Sequence, residues 1–214
     1  MIPIFVGYDK RESVAYHTFC QSVISHTKAQ VSFSPLSGEQ RDGSNSFIYA
    51  RFLVPHLMHN KGWAIFADGD MICNDDIETL WNMRRPEYAV MVVQHNYRTK
   101  HPVKYLGAKN EDYPRKNWSS LILWNCGHWQ NQILTPEYVK QSSGADLHRF
   151  RHLDESKIGA LPLEWNWLAM EYPENNKASL IHYTIGTPCF TDYTACDSAE
   201  LWHNQHAEVN RVDE

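Results

Sequence analysis

The sequence has no long run of one charge and no long apolar segment. Its formal net charge is −5, and its lysines and arginines are scattered along the chain. We therefore expect no nucleic acid partner, because binding to a phosphate backbone depends on a basic patch. No stretch approaches the roughly 20 apolar residues that span a bilayer. The sequence thus predicts no transmembrane segment, and it leaves peripheral membrane contact open.

The sequence also lacks a paired-cysteine pattern and a secretory signal. Its five cysteines are an odd number without metal-type spacing, and several lie in apolar runs, where cysteine behaves as a small hydrophobic residue. The opening residues, MIPIFVGYDKRE, predict a strand that leads into charge, whereas a signal peptide has a basic region followed by an apolar one. A reduced, cytoplasmic location is the expectation.

What the sequence does contain is enough apolar surface for a sizeable core, with 43% hydrophobic residues among 214. Strand and helix patterns alternate in the first half, which predicts an α/β fold with a mostly parallel, mixed central sheet flanked by helices. The expected strands are 2–7, 31–36, 63–67, 89–93, 120–124, 160–163 and 179–183. The expected helices are one after a capping box of Asp9 and Glu12, one over 46–60, a short one capped by Asp75 or Asp76, and those at 135–141 and 197–209.

Two polar stretches interrupt this alternation. Residues 37–46 are a loop by composition. Residues 95–116 show weak periodicity and many charged and aromatic side chains, and a loop of that length is usually functional or disordered. Its aromatic content predicts an ordered lid. The eight tryptophans of the chain suit sugar recognition or core packing, and core packing is the interpretation that we favour.

The chemistry is concentrated where a predicted buried strand meets two acids, in FADGDMICND at residues 66–75. Ligands of open α/β sheets bind beyond the carboxyl ends of the strands, and Asp68 and Asp70 follow one such end. Gly69 permits a tight backbone between them, so both carboxylates can aim oxygens at one hard cation such as Mg²⁺ or Mn²⁺, which takes substrate phosphates in its open positions. The alternative is a solvated acidic turn.

The surrounding residues resemble the core of family 8 glycosyltransferases, which have the GT-A fold. The resemblance lies in FIYARFLVPHL at 47–57 followed by WAIFADGDMICNDDIETLW at 63–81. IFVGYD near the start is similar to the family's first strand, and HYTIGTP at 182–188 to its late His-x-x-Gly element. This implies a single GT-A (Rossmann-like) domain over 1–214, with a nucleotide-binding part at about 1–95, an acceptor and lid part at about 96–195 and a closing helix at about 197–209.

The resemblance also implies an activity, the metal-dependent and retaining transfer of a sugar from a nucleotide sugar, in particular a uridine one, to a glycan or other hydroxyl-bearing acceptor. Asp68, Asp70 and His182 would hold Mn²⁺ or Mg²⁺. The donor would contact Gly7, Tyr8, Asp9, Arg51, Asp68, Gly69 and Gly186, and the expected catalytic residues are Asp68, Asp70, Glu164 and Asn166. Other interpretations stay open: a core histidine at 182, a surface arginine at 51, a helix cap at Asp9, and packing or capping at 164–166.

The late element departs from the family's pattern. Three residues separate His182 from Gly186, where the family has two, and Thr187-Pro188-Cys189 stands where the family places a lysine that meets the diphosphate. Arg51, Lys10 and Arg11 are the candidate replacements.

Two further functions compete with sugar transfer. The first is a nucleotidyltransferase or nucleotide-sugar hydrolase on the same fold, but GYDKRES lacks the glycine-rich basic loop that a triphosphate normally requires. The second is a noncatalytic carbohydrate-binding protein, which would need no metal.

Overall fold

The computed structural model describes residues 1–38 and 47–212. The strands are β1 (Ile2–Gly7), β2 (Val31–Leu36), β3 (Trp63–Ala67), β4 (Met71–Cys73), β5 (Val90–Val93), β6 (Leu121–Asn125), β7 (Ile158–Leu161), β8 (Trp167–Leu168) and β9 (Leu180–His182). The helices are α1 (Ser13–His26), α2 (Val54–Leu57), α3 (Ile77–Trp81), α4 (Pro136–Gln141), α5 (Gly144–His148) and α6 (Ala199–Val209).

Six strands form the central sheet, in the order β2-β1-β3-β6-β5-β7. β1 is parallel to β2 and β3, and β5 is parallel to β7. Only β6 runs against its neighbours β3 and β5 within the described chain. The predicted α/β class with a mostly parallel, mixed sheet is confirmed.

A second sheet of three short strands has the order β4-β9-β8. β4 pairs antiparallel with β9, which places Met71 opposite His182. The backbone N–H of Tyr183 also donates to the carbonyl of Asp70 at 2.9 Å. The sequence patterns did not predict β4, because its three residues are too few to show a period, yet this pairing is what brings the two halves of the site together.

Apolar side chains cover both faces of the central sheet. The residues of β3 from Ala64 to Ala67 are fully buried, which explains why this strand reads as a continuous apolar run. One face packs against α1 through Phe19 and Val23, and the other packs against Phe52 and Phe150. Trp124 and Trp202 are buried, so core packing accounts for these two tryptophans.

The segment predicted as one helix over 46–60 is shorter in the structure. Residues 50–53 form a 3-10 turn, and the α-helical part is confined to α2. Positive φ angles at His59 and Asn60 then end it ahead of Gly62. Residues 39–46 lie outside the described residues, and they include most of the loop predicted over 37–46 and the first residue of the predicted helix.

The capping box predicted for Asp9 and Glu12 is wrong. Asp9 does act as a cap, since its carboxylate accepts from the backbone N–H of Arg11 at 3.0 Å. Glu12 instead points inward, where its carboxyl oxygens accept from the hydroxyls of Tyr105 and Thr187, each at 3.1 Å. A tertiary contact therefore replaces the local one.

The remaining boundaries differ from the expected ones by a few residues. Pro162 follows the end of β7, and α6 begins at Ala199 because Ser198 is left-handed with φ 60°. Asp76 caps α3 by accepting from the backbone N–H of Glu78 at 2.9 Å, as predicted. Among the described residues, none of the helices has the length and apolar character that crossing a membrane requires.

Candidate active site

Asp68 and Asp70 lie directly beyond the carboxyl end of β3. A side chain at Gly69 would place its Cβ 2.3 Å from the carbonyl oxygen of Gly7, at the end of the neighbouring β1. Only glycine therefore fits between the two acids without moving β1. The close approach of the two strand ends fixes the turn that carries both carboxylates.

His182 reaches the same point from β9. Its Nε2 lies 3.3 Å from Asp70 Oδ1 and 4.0 Å from Asp68 Oδ2. One ligand atom from each of the three residues lies within 4.8 Å of the others, and His182 is only 2% exposed. These three residues, named the acid–histidine cluster below, are the ones that the sequence analysis assigned to a metal.

Asn166 determines which nitrogen of His182 faces the acids. The amide nitrogen of Asn166 donates to Ser120 Oγ at 2.8 Å and to the carbonyl of Asn117 at 3.3 Å. Its oxygen is thereby turned toward His182 Nδ1 at 3.1 Å and can only accept. Nδ1 therefore carries a proton, and in the neutral ring Nε2 presents a lone pair to Asp68 and Asp70.

This arrangement fits a divalent cation. Asp70 Oδ1 is buried and accepts no hydrogen bond, and it faces the Nε2 atom of His182. Two lone pairs held this close need a proton or a cation between them. Two carboxylates and one imidazole, whose other nitrogen is held by an amide, form a donor set that suits Mn²⁺ or Mg²⁺.

Arg51 is buried behind the cluster, so the interpretation of a surface arginine is wrong. Its Nη1 lies 2.9 Å from Asp68 Oδ1 and also donates to the carbonyl of Ser119 at 2.8 Å. Its Nε donates to the carbonyl of Ile48 at 3.2 Å, and the guanidinium lies 4.9 Å from the ring centre of Phe66. Arg51 therefore braces Asp68.

The two acids differ in how readily they ionise. Burial raises the pKa of Asp68 to about 6, and Arg51 acts against this rise. Burial also opposes ionisation of Asp70, but the positive charges of His182 in its protonated form and of Lys104 together outweigh it, so that the pKa of Asp70 lies below its ordinary value. Both acids are therefore mainly carboxylates near neutral pH, which is the form that binds a cation.

A cavity of about 80 Å³ opens beside the cluster, with room for a cation and some water. Its wall includes Lys104, Tyr105 and Tyr113 from the predicted lid. It adjoins a second cavity of about 610 Å³, which shares Lys104, Tyr113 and His148 with it. Residues of the segment predicted as a lid therefore line the site.

His148 lines the cavity but carries no local sequence signal. Thr184 and Ser119 lie beside strand ends, and Ser119 Oγ makes a 2.5 Å hydrogen bond to His148 Nδ1. Burial lowers the pKa of His148 to about 3, so its ring is neutral.

The structure does not bring every predicted residue to the cavity wall. The Asp9 carboxylate pairs with Arg11, and the Tyr8 ring lies edge-on to Tyr16 at 5.5 Å. A Cβ at Gly7 would meet the Phe47 ring at 2.4 Å, and one at Gly186 would meet Tyr193 at the same distance. Gly69 is buried between the two acids.

Some residues of the 163–166 segment are exposed to solvent, and others are buried in the core. Glu164 is exposed, whereas Asn166 is buried behind His182. Trp165 is only 2% exposed and packs in the core, so it does not offer a ring face to a sugar. The packing alternative is correct for this residue.

The comparison with protein families identifies the kind of enzyme. The profile named Glycosyl transferase family 8 matches residues 8–187, which include all three residues of the acid–histidine cluster. The chain belongs to glycosyl transferase family 8. It is thus a glycosyltransferase, and the nucleotidyltransferase and the noncatalytic binding protein considered above are set aside.

A plant protein and two solved structures resemble this family 8 enzyme. Protein CDI of Arabidopsis thaliana is 39% identical over 225 residues, which cover 97% of this chain and 87% of that protein. The galactosyltransferase LgtC, solved with donor and acceptor sugar analogues, has a TM-score of 0.69 at 13% identity and covers 100% of this chain and 98% of its own. The bifunctional glycosyltransferase WbbM has a TM-score of 0.64 at 15% identity, and 98% of this chain spans 51% of that one. These structures establish the GT-A fold.

Proposed function

We propose that this glycosyltransferase moves a sugar from a nucleotide sugar, specifically a uridine one, to a hydroxyl-bearing acceptor such as a glycan, with retention of anomeric configuration and in dependence on a divalent cation. The observation that carries the proposal is the acid–histidine cluster, in which a buried Asp70 oxygen without a hydrogen-bond donor faces the lone pair of His182. Family membership supports the sugar as the transferred group.

Asp68, Asp70 and His182 would hold Mn²⁺ or Mg²⁺, which supplies Lewis-acid stabilisation of the leaving diphosphate. Arg51 keeps the Asp68 carboxylate in place through their 2.9 Å contact. Asn166 holds His182 with Nε2 toward the acids. In this proposal Asn166 acts as a positioning residue, and Glu164 remains a candidate for binding sugar hydroxyls.

The donor's nucleoside would lie at the end of β1, where Tyr8 could stack on uracil and Asp9 could accept from the base or ribose. Asp9 is 4% exposed and is held by Arg11, which gives its carboxylate a fixed orientation. In this proposal Gly7, Gly69 and Gly186 would meet the donor through their backbone.

Retention is proposed to follow a same-face route. The bond between the anomeric carbon and the diphosphate oxygen breaks, the acceptor oxygen bonds to that carbon on the same face, and the acceptor proton passes to the departing diphosphate. The described cavity wall supports this route, because its only carboxylates are Asp68 and Asp70, both in the acid–histidine cluster. No separate carboxylate lines this wall to act as a nucleophile.

The proposal also includes the cellular location and the domain organisation of the protein. All five cysteines lie within the described residues and are free, which supports a reduced, cytoplasmic location. A single domain with its nucleotide-binding part at about 1–95 also remains part of the proposal, as does peripheral contact with a membrane.

The test is a screen of nucleotide sugars with and without Mn²⁺, read out as a rise in melting temperature. A ligand bound only by the folded form stabilises it, so we expect stabilisation by a uridine diphosphate sugar that disappears with chelator. Mass spectrometry of the stabilising donor with candidate acceptors then distinguishes transfer from hydrolysis. Metal-independent stabilisation, or products of hydrolysis alone in the presence of every acceptor, would overturn the proposal.

A further inference from the structure

Two cationic side chains other than histidine line the small cavity within the described chain, and they differ in what they already bind. Arg51 is committed to protein acceptors, namely Asp68 and the carbonyls of Ile48 and Ser119. The ammonium of Lys104 makes one described hydrogen bond, to Thr184 Oγ1 at 3.0 Å. Because an ammonium has three donors, Lys104 has donors left for a ligand.

A tight turn holds Lys104 in position. Its backbone N–H donates to the carbonyl of Ala108 at 2.7 Å, and Val103 forms an isolated bridge with Lys109. Leu106 and Gly107 close the turn with φ angles of 55° and 72°. The lysine is therefore presented by an ordered turn, which lowers the entropy cost of using it in binding.

The residue after Lys104 fastens this turn to the late element. The backbone N–H of Tyr105 donates to the carbonyl of Ile185 at 2.8 Å, and its ring stacks on Phe190 at 4.9 Å. Thr184 and Ile185 lie two and three residues beyond His182. Lys104 is thus fixed beside the acid–histidine cluster, although it is far from the cluster in sequence.

The charges in the cavity favour an anion beside Lys104. Burial lowers the pKa of Lys104, while the nearby Asp70 and Asp68 act in the opposite direction. The two carboxylates formally cancel Arg51 and Lys104. A bound divalent cation then leaves an excess of two positive charges, which the two negative charges of a nucleotide sugar's diphosphate would balance.

We propose that Lys104 binds the diphosphate of the donor, from the lid, in place of the lysine that the late element lacks at Thr187-Pro188-Cys189. This inference rests on the proposed function. Of the replacements considered from the sequence, Arg51 is held by Asp68, and Arg11 is paired with Asp9.

The experiment compares three substitutions by calorimetry, with Mn²⁺ alone and with uridine diphosphate in the presence of Mn²⁺. Lys104→Met keeps the length of the side chain and removes its charge. We expect it to weaken Mn²⁺-dependent binding of uridine diphosphate about 10- to 100-fold, in line with loss of a charged hydrogen bond. Binding of Mn²⁺ alone is expected to stay equal or become tighter, because a like charge has been removed from beside the cation.

Lys104→Arg retains the charge and is expected to keep most of the affinity. Lys61→Met is the matched control, since Lys61 is exposed and precedes the opposite end of β3. Melting temperatures show whether each variant is folded. Unchanged binding of uridine diphosphate by Lys104→Met, or equal loss in Lys104→Arg, would overturn the role of Lys104. If the unsubstituted enzyme binds no uridine diphosphate with Mn²⁺, the proposed function itself fails and the inference fails with it.

Discussion

The cavity has one wall built from strand ends and another built from the lid, and their side chains are held in different ways. On the strand wall, Asp68 and Asp70 lie between β3 and β4, and His182 lies on β9, which pairs with β4. Their side chains are at most 12% exposed. On the lid wall, Lys104 and Tyr105 belong to a short 3-10 turn that lies in the long connection between β5 and β6.

The two walls differ because the strand wall must hold a cation rigidly, whereas the lid wall must admit a substrate. Ligands of a cation need fixed geometry, and strand ends within a packed core supply it. A donor as large as a nucleotide sugar needs an opening larger than the cavity of about 80 Å³ beside the cluster. We therefore expect substitutions on the strand wall to affect metal binding or stability strongly, and those on the lid wall to affect stability weakly.

The largest expected effect on the strand wall comes from Asp70→Asn. The amide keeps the shape of the side chain but removes the charge and one strong metal ligand, so Mn²⁺-dependent donor binding should be abolished. Calorimetry with Mn²⁺ and uridine diphosphate measures it. Asp75→Asn, at an exposed acid outside the cluster, is the control. Retained Mn²⁺-dependent binding in Asp70→Asn would contradict the metal assignment.

Arg51→Met tests how much the buried contact between Arg51 and Asp68 contributes to the stability of the protein. Removing the guanidinium leaves Asp68 buried without its 2.9 Å partner, and breaking a buried pair in this way typically costs about 3–5 kcal/mol. Urea denaturation of the metal-free protein measures the change. Arg151→Met, which removes an exposed arginine paired with Asp146, should cost less than about 1 kcal/mol. Similar losses of stability in both variants would show that the buried ion pair contributes no more than the exposed one.

Glu12 links the two walls, because it follows β1 and accepts from Tyr105 of the lid. Burial, assisted by the charge of Asp70, raises the pKa of Glu12 from an ordinary 4.5 to about 8. The folded protein therefore holds this proton more tightly than the unfolded chain. The resulting stability is fully present below about pH 4.5 and is lost as the pH rises through about 8.

Glu12→Gln removes this ionisation and should flatten the pH dependence of stability. A single proton changes the free energy of unfolding by at most about 1.4 kcal/mol per pH unit. Denaturation of both proteins in chelator from pH 5 to pH 8 gives the difference. We expect the wild type to lose stability relative to the variant across this range, and parallel curves would show that Glu12 does not titrate there.

Asn166→Ala tests the part of the strand wall that lies behind the cluster. Without the amide, His182 loses the acceptor that holds its Nδ1–H at 3.1 Å. Loss of such a partner typically lowers metal affinity about 10- to 100-fold. Calorimetry with Mn²⁺ measures the affinity, and Asn166→Asp, which keeps an acceptor, should retain more of it. Equal affinities in the alanine variant and the wild type would assign Asn166 to packing alone.

The same contrast explains how much of the site could be predicted from the sequence. Asp68 and Asp70 follow a continuous apolar strand, so their position at a sheet edge follows from the pattern of burial. Arg51 and His182 were predicted from the resemblance to the family. Lys104 lies in an irregular segment and His148 at the end of the short helix α5, so both reach the cavity only through tertiary folding that leaves no periodic signal. The same reason explains the Glu12 error, since a distant tyrosine outcompeted the local cap.

The smallest expected effect belongs to Tyr105→Phe on the lid wall. The substitution removes the 3.1 Å hydrogen bond to Glu12 and leaves the stacking of the ring on Phe190 in place. One hydrogen bond contributes about 1 kcal/mol, which corresponds to a fall in melting temperature of about 2–4 °C for a chain of this size. Calorimetric scanning of the metal-free protein measures it, with Tyr113→Phe, at a lid tyrosine that is 44% exposed, as the control. A fall as large as that of Arg51→Met would mean that the lid is part of the stable core, and the distinction between the two walls would then have to be abandoned.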